Sequence, residues 1–373
     1  MKTVVNSYDL AEAVNKVSKA IATKPNNQVL EGIKIKAENE KLILTATDLE
    51  MGIETQIKCE VLEEDEIVVA GKLFTEYANK VSGSGEVELE TKSNGQVKVS
   101  CGGKMQFVLS TMNATNFPEI NKELTDKNSF EIEVSELKNG ISQVAFSSAT
   151  DEARPILKGC LLEVVEDNKL TMCALDGFRL AMVKKEIKGV NGTIQGIVPA
   201  RSLVEMAKLI GNNETSVKVY MGKNIVMLKT GETIFTSRLL VGQFVDYKKL
   251  LSSPYSTTVY ANKEELISSL DRASILAKLG NNVVGLDIAD NELNISVKGE
   301  LGEMEESIEV ENISQTSVNL YLNYKFLTDC LKAIDEKEIA LCVKDKQSPM
   351  FVRSVYSDNG NYDYLILPIR VNK

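Results

Sequence analysis

Apolar residues recur along the chain with two periods, and the places where the period changes mark its elements. Across residues 7–21, Leu10, Val14, Val17 and Ile21 lie at offsets 0, 4, 7 and 11, one face of an α-helix. The same offsets pick out Leu137, Ile141, Val144 and Ser148, and again Leu266, Leu270, Ala273 and Ala277. A second helical face begins near Gly71, Ala200 and Asn323. It carries Phe74, Ala78 and Val81, then Leu203, Ala207 and Ile210, then Phe326, Cys330 and Ala333. Between the two helices of each set, residues 42–48, 170–176 and 293–299 alternate apolar with polar side chains and are rich in β-branched residues. That pattern predicts half-buried strands.

Hairpin signals follow the second helices. Residues 87–90 and 97–99 flank Ser93-Asn94-Gly95, and residues 216–220 and 225–228 flank Gly222-Lys223-Asn224. Asn-Gly between alternating runs favours a tight turn. Residues 107–111 match residues 234–238, and Phe117-Pro118 matches Phe244-Val245 at the same spacing of 127. The chain therefore reads as three copies of helix, strands, helix, strands, with domains expected at 1–125, 126–253 and 254–373. The fold class is α+β, each copy packing two helices on antiparallel sheets.

Composition narrows the chemistry. The chain has 373 residues and no histidine, which removes the commonest general base and the commonest zinc ligand. Its formal net charge of −10 argues against a nucleic-acid binder when taken alone. The charge is unevenly spread. The six helical segments 7–24, 71–81, 134–148, 200–211, 262–279 and 323–334 hold 13 Lys+Arg against 9 Asp+Glu, so the acidic excess lies in the sheets. Helices gathered on one concave surface would attract phosphate; ordinary solvated helix faces give the same count. Cys59, Cys101, Cys160, Cys173, Cys330 and Cys342 form no C-x-x-C pair and read as buried free thiols. The N-terminus lacks a signal-peptide core, and no apolar run approaches the ~18 residues of a membrane span, so a soluble, cytoplasmic protein is expected.

Enzyme motifs are missing. Neither a P-loop nor a dinucleotide fingerprint is present. Asp48 and Asp176, at equivalent strand ends, suggest acid–base work or, more simply, caps on the turns after their strands. The third repeat has Gly299 at that place, which favours the structural role. Residues 358–363 lack the 12-residue calcium pattern and read as a hairpin turn. No metal and no cofactor are expected.

Residues 45–51 (Thr-Ala-Thr-Asp-Leu-Glu-Met), 174–181 (Ala-Leu-Asp-Gly-Phe-Arg-Leu-Ala) and 365–370 (Leu-Ile-Leu-Pro-Ile-Arg), with the triplication itself, resemble the bacterial sliding-clamp family, the β subunits of DNA polymerase III. The resemblance implies domains of the DNA clamp type and two chains closed head to tail in a ring around double-stranded DNA, held without sequence preference. The clamp would tether the replicative polymerase and serve the clamp loader and other proteins through a short peptide. Carried onto this sequence, the peptide pocket would use Leu157, Leu175, Gly177, Phe178, Arg179, Leu180, Val245, Lys249, Leu250, Leu365, Leu367, Pro368, Ile369 and Arg370. Plain core is the competing reading for Leu175 and Leu180. Phe178 stands where many members have histidine, Val245 replaces a frequent proline, and Lys249 a frequent arginine.

Lys24, Lys72, Arg201, Lys278 and Lys325 would face DNA. The dimer interface would set Phe107 and Leu109 against Ile275 and Leu276, with Glu303, Glu305 and Glu306 pairing bases across the joint. Pro368 suggests that the segment 367–370 lies at an edge or a rim rather than in a central strand. The competing functions are a metal-dependent enzyme acting on DNA or nucleotides, and a repeat scaffold that does not bind DNA.

Overall fold

Asparagine starts several of the helices. The Asn6 side chain accepts the Tyr8 N–H (2.9 Å) and opens the helix Ser7–Val17; Asn262 accepts from Glu265 (3.1 Å) and opens Lys263–Ala277; Asn323 accepts from Lys325 (3.0 Å) and opens Tyr324–Lys332. In the first helix and its third-repeat counterpart the periodic apolar face is the buried face, with Leu10, Val14 and Val17, and Leu266, Leu270, Ala273 and Ala277; in Tyr324–Lys332 the buried face runs through Leu327, Cys330 and Leu331, and Phe326 and Ala333 are only half-buried. The counterparts Val134–Val144, Gly71–Val81 and Ala200–Leu209 complete the set of principal helices. These observations come from a computed structural model, which describes residues 1–103, 105–122, 127–166, 168–211, 213–355 and 362–370.

Two helices are shorter than their apolar periodicity. Ser7–Val17 passes into a 3-10 turn, Ser18–Ala20, and Ile21 is already extended, so Lys24 lies beyond the helix with φ +52. Val134–Val144 likewise passes into Ala145–Ser147, leaving Ser148 as its extended cap. In both cases a tighter turn closes the helix before the periodicity runs out.

The predicted strands form at Lys41–Thr47, Lys169–Leu175 and Glu292–Gly299, and the predicted hairpin pairs Glu86–Lys92 with Gln96–Cys101 through Gly95 at φ +74. The chain divides into two units: residues 1–134, 189–192 and 205–239, and residues 135–188, 193–204 and 240–373. The first holds a 14-stranded sheet and the second a nine-stranded and a four-stranded sheet. Repeat boundaries and unit boundaries differ because the middle repeat gives strands to both units.

Each unit contains the same junction between repeats. In the first, Met51–Lys58 pairs antiparallel with Thr233–Arg238. In the second, Arg179–Glu186 pairs antiparallel with Tyr362–Ile366. The C-terminal strand Tyr362–Ile366 is therefore central, flanked on its other side by Met350–Ser354, while the segment 367–370 that holds Pro368 belongs to no strand, which excludes an edge strand and leaves the rim. Proline is tolerated because the strand ends at Ile366, two residues before it. Of the 358–363 turn, only Tyr362 and Asp363 are among the described residues.

Candidate functional site

Four of the expected pocket residues meet in one apolar cluster of the second unit. Leu157, Leu175, Leu180 and Leu365 are buried there with Cys173, Met182, Tyr247 and Phe351. Alternation brings them together, since Leu180 is cross-strand from both Leu175 and Leu365 in the ladder. They form the floor of the site and present little surface.

The exposed parts lie on the segments around that floor. Asp176 accepts the N–H groups of Phe178 (2.8 Å) and Arg179 (3.0 Å), closing a turn in which Gly177 takes φ +96. The positive φ demands glycine there; a Cβ would also press on the Arg154 guanidinium at 2.5 Å, the mobile end of an exposed side chain. The turn displays Phe178, 59% exposed, which stacks on Phe326 at 6.4 Å. The Leu367 N–H donates to the Phe178 carbonyl (2.8 Å), bringing Leu367, 39% exposed, beside the turn. Val245, Lys249 and Leu250 are exposed on the segment that includes the short helix Tyr247–Leu251.

Asp48 closes the equivalent turn in the first repeat, accepting from Glu50 (3.0 Å) and Met51 (2.8 Å). Both carboxylates are turn caps, which removes the acid–base alternative for them.

Two expectations for the pocket change. Arg179, expected among the pocket residues, turns inward. Its guanidinium donates to Asp176 (3.1 Å), Asp329 (2.7 Å) and the Phe146 carbonyl (2.7 Å), and lies over the Phe146 and Phe326 rings. A planar fork with several donors suits such a joint, and here it binds the second repeat to the third. Ile369 and Arg370 line a different cavity, of about 970 Å³, with Leu276, Leu279, Leu301 and Tyr321. The Ile369 N–H donates to the Tyr321 carbonyl (2.7 Å), which draws the tail toward the four-stranded sheet. Pro368, half-buried, bridges the two places.

The expected DNA-facing bases are all exposed. Lys72, Arg201 and Lys325 occupy the same place in the three repeats, the second residue of Gly71–Val81, Ala200–Leu209 and Tyr324–Lys332. Lys278 caps the C-terminus of Lys263–Ala277.

At the expected interface, Ile275 is 69% exposed and Leu276 is half-buried. Leu109 is a correction: it is only 5% exposed. Phe107 and Leu109 share parity in the strand Met105–Met112 and turn the same way, Phe107 stacking on Tyr77 at 4.8 Å. Met105 and Val108 are the exposed apolar residues there, and the strand also offers its backbone edge. Among the described residues it pairs with Gln96–Cys101 on one side and meets Asp65–Ala70 on the other only through Val68 and Val69. Among the described residues Gly302–Glu309 is likewise an edge, the outer strand of the four-stranded sheet. Glu306 is already paired within the chain, with Arg272 (2.9 Å), and Glu305 accepts from Asn294 (2.8 Å). Of the three acids proposed to reach across a joint, Glu306 is thus engaged by a base of its own chain.

Sequence reasoning missed Tyr247 and Glu163, joined by a 2.6 Å hydrogen bond under the Val245–Leu250 segment. Neither lies in a motif, and only the fold brings them together from 84 residues apart.

Comparison with known proteins gives a single answer. Models of the N-terminal, central and C-terminal domains of the DNA polymerase III beta subunit match residues 1–121, 131–246 and 248–370. The chain is similar to the Beta sliding clamp of Staphylococcus aureus, 30% identical over 378 residues spanning 99% of this chain and 98% of that one. Among solved structures it is similar to the DNA polymerase sliding clamp of Bacillus subtilis, with a TM-score of 0.93 and 28% identity. It is also similar to the DNA polymerase III beta subunit of Thermotoga maritima, with a TM-score of 0.91 and 27% identity. In both cases each chain is covered over 100% of its length.

Proposed function

The chain belongs to the family of DNA polymerase III beta subunits, the sliding clamps, and from that premise we propose how its own residues close a ring, face DNA and capture partners. It is a DNA sliding clamp for the polymerase, a processivity factor and not an enzyme. Its place of action is the cytoplasm. Its domains are the three repeats, 1–125, 126–253 and 254–373.

The observation that carries the assembly is the repeated junction. Met51–Lys58 and Arg179–Glu186 each pair with the last strand of the following repeat, Thr233–Arg238 and Tyr362–Ile366. Among the described residues their third-repeat counterpart, Gly302–Glu309, has an open edge, and so has most of Met105–Met112, the first-repeat counterpart of the last strands. An exposed edge seeks a partner. Pairing these two edges between two chains repeats the internal junction twice and closes a homodimer. Ile275 and Leu276 lie beside that edge and are covered by the second chain.

The equivalent bases support the DNA reading. A cation in the first turn of a helix is unfavourable by about 0.3–1 kcal/mol, because it sits at the positive end of the dipole. Lys72, Arg201 and Lys325 accept that cost in all three repeats. A phosphate backbone reverses its sign, since helix N-terminus and side chain then attract the same anion. Lys24 and Lys278 add charge after the first helices of their repeats.

Partners carrying a short peptide dock where Phe178, Val245, Leu250 and Leu367 stand exposed over the Leu157–Leu175–Leu180–Leu365 floor. Lys249 supplies the basic rim, and Gly177 lets the Phe178 turn close. The reading is tested by loading the protein on nicked circular DNA and then linearising it. Retention on the circle and loss on linearisation are expected; equal retention on both refutes a topological link.

A further inference from the structure

The segment 240–251 is one wall of the proposed partner slot, and it contains no β-strand. At one end the Leu240 N–H donates to the Ile197 carbonyl (2.8 Å); at the other, Arg353 Nη2 donates to the Leu251 carbonyl (3.2 Å). Between these ties Val241, Val245, Lys249 and Leu250 face outward. Tyr247 alone turns fully inward, its ring packed in the cluster with Leu157, Leu175, Leu180 and Leu365. Its hydroxyl donates to Glu163 Oε1 at 2.6 Å.

Glu163 lies on Gly159–Glu166, and its side chain is 9% exposed. Gln195 Nε2 donates to its other oxygen (3.4 Å) and Lys248 Nζ stands 3.5 Å away. A carboxylate is an expensive anchor, because a buried pair is often replaced by apolar residues without loss of stability. What the pair adds over an apolar contact is direction: the hydroxyl meets a fixed point of the sheet.

We propose that the Tyr247–Glu163 hydrogen bond is a strap that sets the height and rotation of the Val245–Leu250 wall. Both are then positioning residues for peptide capture, a role that rests on the partner-slot reading above. Tyr247→Phe keeps the ring and leaves Glu163 its contacts with Gln195 and Lys248, so it removes the strap together with the hydroxyl's contact to Thr171.

The test measures affinity for the clamp-binding peptide of the organism's own DNA polymerase III by calorimetry, with Leu250→Ala as control. Tyr247→Phe should weaken binding about ten-fold, at the low end for a hydrogen bond to a charged acceptor. Glu163→Gln, which keeps an acceptor for the hydroxyl, should stay within about three-fold of the parent. Amide exchange should quicken over residues 241–251 and stay unchanged in Lys169–Leu175 and Arg179–Glu186. Unchanged affinity in Tyr247→Phe with weakened Leu250→Ala overturns the strap but leaves the slot. Unchanged affinity in both overturns the slot and the strap with it. Exchange that quickens across the whole sheet makes the pair a plain core interaction and also overturns the strap.

Discussion

Replacing Ile275 by glutamate tests the assembly at its most exposed point. The side chain is 69% exposed in the single chain. Fully burying an isoleucine is worth about 1.5–3 kcal/mol, so covering this one contributes about 1–2 kcal/mol to each interface. The variant loses that contribution and also places a carboxylate in a closing apolar joint, with Glu303 and Glu305 on the neighbouring strand. A poorly compensated polar group costs about 1–3 kcal/mol more. A two-chain ring has two such joints, so the total is about 4–10 kcal/mol, a weakening of the dimer by roughly a thousand-fold or more. Because Ile275 is not in the core, the monomer should keep its fold, its melting temperature falling only by what association contributed to the parent. Sedimentation of the parent should give about twice 41.1 kDa, and the variant about 41.1 kDa at micromolar concentration. A folded variant that remains dimeric at sub-micromolar concentration refutes the interface assignment.

Reversing Lys72, Arg201 and Lys325 to glutamate should lower the salt slope of DNA association by roughly one unit for each phosphate no longer neutralised; an unchanged slope and unchanged loading show that these helix starts face elsewhere. Leu367→Ala and Phe178→Ala should each weaken the polymerase peptide by about 1–2 kcal/mol while leaving the dimer and DNA retention intact; unaltered affinity in both moves the partner site. Point changes are preferable to removing residues 366–373, because Ile366 is buried in a central strand. Leu180→Ala should cost the fold about 2–5 kcal/mol, since it opens a cavity in the buried floor; a melting temperature near that of the parent places Leu180 at the surface of the slot. Burial, reinforced by Glu163 and Glu336, pushes the Tyr247 and Tyr362 hydroxyls far up, and burial does the same to Tyr364. The folded state therefore holds these protons after the unfolded chain, with tyrosine pKa about 10, has released them. Their contribution to stability is complete below pH about 10 and lost above it. A spectrophotometric titration should show these three ionising only with unfolding; their release from a folded protein alongside the exposed tyrosines refutes the burial argument.

The triplication, both helices of each repeat and the strand–turn signals were legible in the chain because each depends on neighbours within a few residues. Leu10, Val14 and Val17 need only a 3.6-residue period to share a face. Asp48 and Asp176 need only the next three residues to become turn caps. The resemblance carried by residues 174–181 and 365–370 was legible too, because the residues that carry it are contiguous in those segments. What remained closed depends on which strand lies beside which. Nothing local says that Tyr362–Ile366 enters the sheet between Arg179–Glu186 and Met350–Ser354, and that position makes the strand central despite Pro368. Nothing local decides that Arg179 turns inward to Asp329, 150 residues away, or that Leu109 faces the core while its own strand keeps an open edge. The burial of Glu163 under Tyr247 belongs to the same class. A carboxylate reads as a surface residue until the tertiary structure supplies its donor, and only then is its desolvation offset.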